Sequence, residues 1–168
     1  MTAPTTTIWL RRLISPHPSP PGPPVRRAAA LLLRLACVAL LAWIGYIHLH
    51  LWLEGYRQIP TDGPLFLLDA IAAFLLAAIL LVWPAPLAGL LAVGYTVSTI
   101  GALLISLTVG LFGFRESISA SYVTQSLAIE TITVFALASW TILAAATSHP
   151  VGQPTRHRPP VHQLSQGR

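Results

Sequence analysis

Four apolar runs, each long enough to cross a bilayer, take up most of this chain, at about residues 28–53, 65–83, 87–112 and 126–146. A hydrocarbon core of about 30 Å needs about 20 helical residues at roughly 1.5 Å each. Lipid offers backbone amides no hydrogen-bond partners, so runs of this length must be helices. The predicted fold is therefore all-α: a four-transmembrane-helix bundle, up-down-up-down, with a tail at each end. Composition agrees, since 54% of residues are hydrophobic and 9% charged, which excludes an ordinary soluble domain. The first run is too long for a cleavable signal peptide, whose apolar core holds roughly 7–15 residues, and no small-x-small cleavage site follows it.

The net charge of +5 invites a nucleic-acid reading, but the placement of the charge excludes it. All ten basic residues are Arg. Arg11, Arg12, Arg26, Arg27 and Arg34 precede or open the first run, and Arg156, Arg158 and Arg168 follow the last. These are juxtamembrane positions, where Arg sets orientation and meets anionic headgroups. The sole cysteine, Cys37, lies inside the first run as a small apolar residue, so the chain alone does no thiol–disulfide chemistry.

Residues 1–27 read as a disordered, Pro-rich cytoplasmic tail, and residues 147–168 as a second. Ser15 to Pro24 reads as a non-helical polyproline-II linker, because Pro lacks an N–H and restricts the residue before it. Residues 8–14 could form a short interfacial turn with Trp9 at the headgroups, although a loose tail fits them better. Between them, residues 28–146 make the transmembrane domain.

Gly55 can end the first helix, and Pro60 and Pro64 block its continuation. Pro84-Ala85-Pro86 forces a tight turn that makes the second and third spans antiparallel neighbours. The third span carries Gly89, Gly94, Ser98 and Gly101, a small-residue stripe expected at a helix–helix contact, chiefly through Gly94, Ser98 and Gly101. Arg is concentrated on the side of the two tails, while the longer loops hold only Arg57 and Arg115. That asymmetry predicts a plasma (inner) membrane protein with both termini cytoplasmic and both longer loops outside.

Counting helical rise from the span boundaries brings His48, His50, Asp69 and Glu130 to a similar depth near the outer face, with Glu54 just beyond. Ser106 and Thr108 of the third span reach the same level. Ionisable residues within a membrane are costly and mark a candidate site. His50 shares a face with Tyr46 and Glu54, whereas His48 is turned about 200° from His50. His50 is accordingly expected to face inward, with Tyr56 and Arg57 as a lid. The candidate ligand-binding or proton-carrying residues are His50, Glu54, Asp69, Glu130, Tyr56 and Arg57. The candidate metal ligands are His48, His50, Asp69 and Glu130, since imidazole with carboxylate suits a divalent metal.

The stretch from His48 to Leu68 has a His-bearing first helix, the segment Gly55-Tyr56-Arg57-Gln58-Ile59-Pro60, and Leu65-Phe66-Leu67-Leu68 opening the second. It resembles small uncharacterised actinobacterial integral membrane proteins and, more distantly, is similar to DoxX-like four-helix proteins. The resemblance covers the first two spans. It implies a plasma-membrane bundle and, for some relatives, a link to quinone or redox metabolism.

Several functions remain open at this stage. One is a non-enzymatic membrane protein whose polar outer pocket binds a metal or small polar ligand. Others are a quinone- or haem-linked oxidoreductase subunit, a proton-coupled transporter, and a purely structural subunit. No nucleotide-binding or hydrolase motif is present. The lipid bilayer is the expected partner, together with a second copy or a membrane complex.

Overall fold

The computed structural model describes residues 10, 13–16, 23–113 and 115–147. Of the two expected tails, residues 10, 13–16, 23–27 and 147 are described and the rest lie outside; Leu10, Leu13 and Ile14 of the proposed interfacial turn are helical, and residues 24–27 and 147 belong to membrane helices rather than to disordered tails. Four helices follow in order: α1 (Pro24–Glu54), α2 (Asp62–Val82), α3 (Pro86–Thr108) and α4 (Val123–Thr147), with a short 3₁₀ turn at Tyr56–Gln58. All four are long and apolar enough to cross a membrane, and they pack as a bundle. Large apolar side chains such as Val82, Phe135, Ile142 and Leu32 cover its outside. Such a surface belongs in lipid, and the chain is a multi-pass membrane protein.

The helix ends differ from expectation in ways local chemistry explains. α1 starts at Pro24 rather than near residue 28. Pro is tolerated at a first helical position because the N–H it lacks has no intrahelical partner there. Pro24, expected to close the non-helical linker, is instead the first residue of the helix; residues 17–22 of that linker lie outside the described residues. With 31 residues, α1 is about 46 Å long and outruns the hydrocarbon, leaving Arg26 and Arg27 in its first turns. Arg34 consequently sits nearly three turns into the helix. At the other end Gly55, at φ 148°, closes α1 as expected, its N–H bonding to Leu51 O. α3 ends at Thr108 rather than near residue 112, because Gly110 takes φ 89° and the N–H groups of Val109 and Gly110 both bond to Ile105 O.

Packing is uneven around the bundle. The α1/α2 seam is the most extensive, followed by α3/α4 and then α1/α4. The α2/α3 seam is the thinnest, although a three-residue turn joins those helices. The small-residue contact also lies elsewhere than predicted. A Cβ added at Gly94 or Gly101 would meet nothing within 4 Å, and Ser98 is exposed. The close approach is instead at Gly89, where a Cβ would collide with Thr141 Oγ1 and come within 2.9 Å of the Trp140 ring. Gly45 does the same for α1/α2, its added Cβ falling 3.1 Å from Phe74. A periodic stripe of small residues does not reveal which of its members faces a helix and which faces lipid.

The apolar core gathers toward the Pro84–Pro86 turn. Cys37 and Leu41 of α1, Ala77 and Leu80 of α2, Ala88 and Ala92 of α3, and Leu137 and Trp140 of α4 form one cluster. The opposite end is built differently.

Candidate functional site

At the end carrying the two longer loops, all four helices border a cavity of about 390 Å³. The buried face of α1 runs through Leu41, Ile44, Ile47 and Leu51 in steps of three and four. His48 lies on that face and lines the cavity. Its ring packs 5.5 Å from Phe66 of α2, and Nδ1 lies 2.9 Å from Ile44 O. A carbonyl only accepts, so Nδ1 carries the hydrogen in this contact.

His50 is not on that face, which corrects the expected inward orientation. It pairs with Glu54 at 3.2 Å, stacks on the exposed Tyr46 at 5.6 Å, and meets Tyr122 edge-on at 5.4 Å. Tyr46, His50 and Glu54 share a face, as their i,i+4 spacing implies, but none of the three lines the cavity. The apolar residues on either side of His48 decide the matter.

α2 contributes Asp69 and, from its first turn, Asp62. Asp69 lies within electrostatic reach of His48, and its backbone carbonyl accepts a 2.9 Å bond from Tyr95 OH across the thin α2/α3 seam. α4 contributes Glu130, which is 2% exposed and lies beside Thr99 of α3. Asp62 is 4% exposed. Among the described residues, Glu130 Oε2 and Asp62 Oδ2 are both buried with no hydrogen-bond partner. Buried oxygens in that state are rare in folded proteins and call for an explanation. α3 adds Ser98, Thr99 and Ser106 to the wall; Thr108, expected with Ser106, is exposed and bonds back to Leu104 O.

The loops close over this space. Tyr56 OH donates to Glu116 Oε2 at 2.7 Å, joining the α1–α2 loop to the α3–α4 loop. Glu116 is itself held, since Oε1 accepts from the Ser117 N–H at 2.9 Å and its own N–H bonds to Ser106 O at 3.2 Å. Burial, reinforced by the hydrogen bond to Glu116 and its nearby charge, pushes the Tyr56 phenol well above its usual pKa. The Tyr56 ring packs 4.6 Å from Phe66. Gly63 lets α2 begin directly against this turn, because a Cβ there would fall 2.8 Å from Tyr56 O. Arg57 points outward and is exposed. Among the described residues, three non-glycine residues have positive φ: Thr61 at 73°, Phe112 at 48° and Tyr122 at 68°. Phe112 and Tyr122 line the cavity and Thr61 immediately precedes Asp62, so the strained backbone collects around this one space.

Of the candidate residues, His48, Asp69, Glu130 and Tyr56 border the cavity, whereas His50, Glu54 and Arg57 do not. Among the described residues, no three His, Cys, Asp or Glu side chains converge to hold a metal. The proposed set of His48, His50, Asp69 and Glu130 is split by the two faces of α1. Asp62 and Glu116 were missed. Asp62 carried a readable signal, an acidic residue followed by Gly63-Pro64 at a helix start, where a first-turn carboxylate is favoured. Glu116, in an irregular loop, carried none.

No family model matches the chain, nor does any curated protein or solved structure. The DoxX-like resemblance of the first two spans is thus unsupported, and the redox link it implied has no footing.

Proposed function

We propose that this is a non-enzymatic multi-pass membrane protein that binds a small ligand in the chamber beneath its two longer loops. The single observation carrying this reading is Glu130. Its carboxylate is buried on a membrane helix, with one oxygen unpartnered, in the wall of a cavity within the size range of ligand pockets. A carboxylate serving only to tie helices together would spend both oxygens on neighbouring helices. The Arg asymmetry orients the chain with both tails cytoplasmic and the chamber toward the outer face. His48, Asp69 and Glu130 are the ligand-facing groups, and Tyr56 with Glu116 forms the lid.

Thermal unfolding of the purified protein against a panel of small cations, anions and neutral polar compounds tests this reading. Ala102→Phe, at a residue lining the chamber, serves as a filled control. A compound that stabilises the wild type and leaves the filled variant unmoved supports the chamber. A panel that shifts neither protein, or shifts both equally, removes it.

A further inference from the structure

The chain has five acidic residues, and four of them, Asp62, Asp69, Glu116 and Glu130, line the chamber. Of its ten Arg, none among the described residues lines it. Arg57 and Arg115, at the same end of the bundle, are exposed on the loops. The internal partners for this negative charge are few. His48 stands near Asp69, and Tyr56 bonds to Glu116. That leaves Glu130 and Asp62, each with a buried oxygen that has no partner. The remaining wall is apolar and aromatic: Phe66, Phe112 and Tyr122 join Leu65, Ala102 and Leu103.

Resting on the chamber reading above, we infer that the ligand is an organic monocation, an alkylated ammonium or amine with a compact apolar body, held by Glu130 and Asp62 against the aromatic wall. A transition-metal site would need three or more converging His, Cys, Asp or Glu side chains, and no such group exists among the described residues. An anion would meet four carboxylates and, among the described residues, no Arg. A neutral apolar ligand would leave two buried oxygens unsatisfied. An alkylated ammonium suits both parts of the wall, because its charge is spread over alkyl groups that pack on aromatic faces and it attracts a carboxylate without needing a fixed donor geometry.

The test uses the full chain in lipid nanodiscs, titrated calorimetrically with choline, benzyltrimethylammonium and 3,3-dimethylbutan-1-ol, the uncharged isostere of choline. At least one cation is expected to bind, with the alcohol at least about tenfold weaker than choline if choline is that cation. Glu130→Gln is expected to weaken cation binding roughly 10- to 100-fold, as loss of one partner of a buried charge pair does. Ala102→Phe should abolish it. If Glu130→Gln does not fold, Asp62→Asn asks the same question from α2. Failure of both cations to bind overturns the inference. Equal binding of choline and the alcohol, both lost in Ala102→Phe, overturns the cationic assignment while leaving the chamber as a binding site. Cation binding that survives Ala102→Phe lies elsewhere and overturns both.

Discussion

The two ends of the bundle solve opposite problems. At the Pro84–Pro86 end, every helix contributes to one apolar cluster, with Leu41, Leu80 and Leu137 each fully buried. There the α3 backbone comes so close to α4 that Gly89 has no room for a side chain. At the loop end buried polar groups gather: Asp62, Thr99, Ser106, Ser126 and Glu130 line a cavity, beside the buried Leu51 and Val123. Lipid removes most of the hydrophobic drive that would press helices together in water, so close packing must hold the bundle. Concentrating that packing at one end frees the other from it. The thin α2/α3 seam, bridged by Tyr95 OH to Asp69 O, follows from this division, because the two helices are clamped by their turn and by their outer partners.

The contrast breaks most visibly at Gly89. Gly89→Leu should cost about 3 kcal/mol or more, because the new side chain must displace Thr141 and Trp140 or push the helices apart. Gly94→Ala and Gly101→Ala, in open positions on the same helix, should be neutral or stabilise by up to about 1 kcal/mol through helix propensity. Reversible unfolding of the three variants in mixed detergent measures this directly. Equal losses at all three positions would restore the whole small-residue stripe as the helix interface.

The next comparison sets core against chamber. Leu80→Ala leaves a hole at the packed end and should cost about 2–4 kcal/mol. Glu130→Gln, nearly the same shape, removes a buried charge demand at the other end and should change stability by less than about 1 kcal/mol, in either direction. If Glu130→Gln proved as costly as Leu80→Ala, Glu130 would be a packing element and the division between the ends would fail.

A smaller effect is expected at the lid. Tyr56→Phe deletes the bond to Glu116 while keeping the ring against Phe66, and should cost about 1 kcal/mol. The loops should also loosen, read as faster amide exchange at residues 55–59 and 115–119 with α4 unchanged. Protection unaltered in both loops would mean that the bond does not join them.

The number of helices and their approximate limits were legible because bilayer thickness and backbone hydrogen bonding leave few alternatives. The site was only partly legible. Depth follows from helical rise alone, which brings His48, Asp69 and Glu130 to one level. Rotation about each helix axis does not follow from depth, and in an all-apolar run the periodicity that would fix it is faint. For this reason His50 was turned inward on the strength of its polar neighbours, when the fully buried Ile44 and Ile47 place His48 there instead. Asp62 precedes the apolar run at 65–83 and so reads as loop, whereas the helix starts at Asp62 and accommodates Pro64 in its first turn. The pairing of Tyr56 with Glu116 joins residues sixty positions apart through irregular loops, and no spacing rule reaches that far.

The smallest effect is also the most specific to the loop end. A tyrosine ionises at about pH 10 in an unfolded chain, and the Tyr56 phenol is held above that by burial and by Glu116. Above pH 10 the unfolded state therefore releases a proton that the folded state keeps. Proton binding is then lower in the unfolded state, so stability falls as pH rises; the contribution is whole below pH 10 and declines above it. Tyr56→Phe, which has no proton to lose, should flatten the decline, giving a shallower loss of stability between about pH 10 and 11 than the wild type. Identical slopes in the two proteins would mean that Tyr56 ionises in the folded state as freely as in the unfolded one, and that the lid admits water to its phenol. In that case the loop end is open rather than closed, and the comparison with the apolar end would sharpen into one between a packed core and a solvent-filled vestibule.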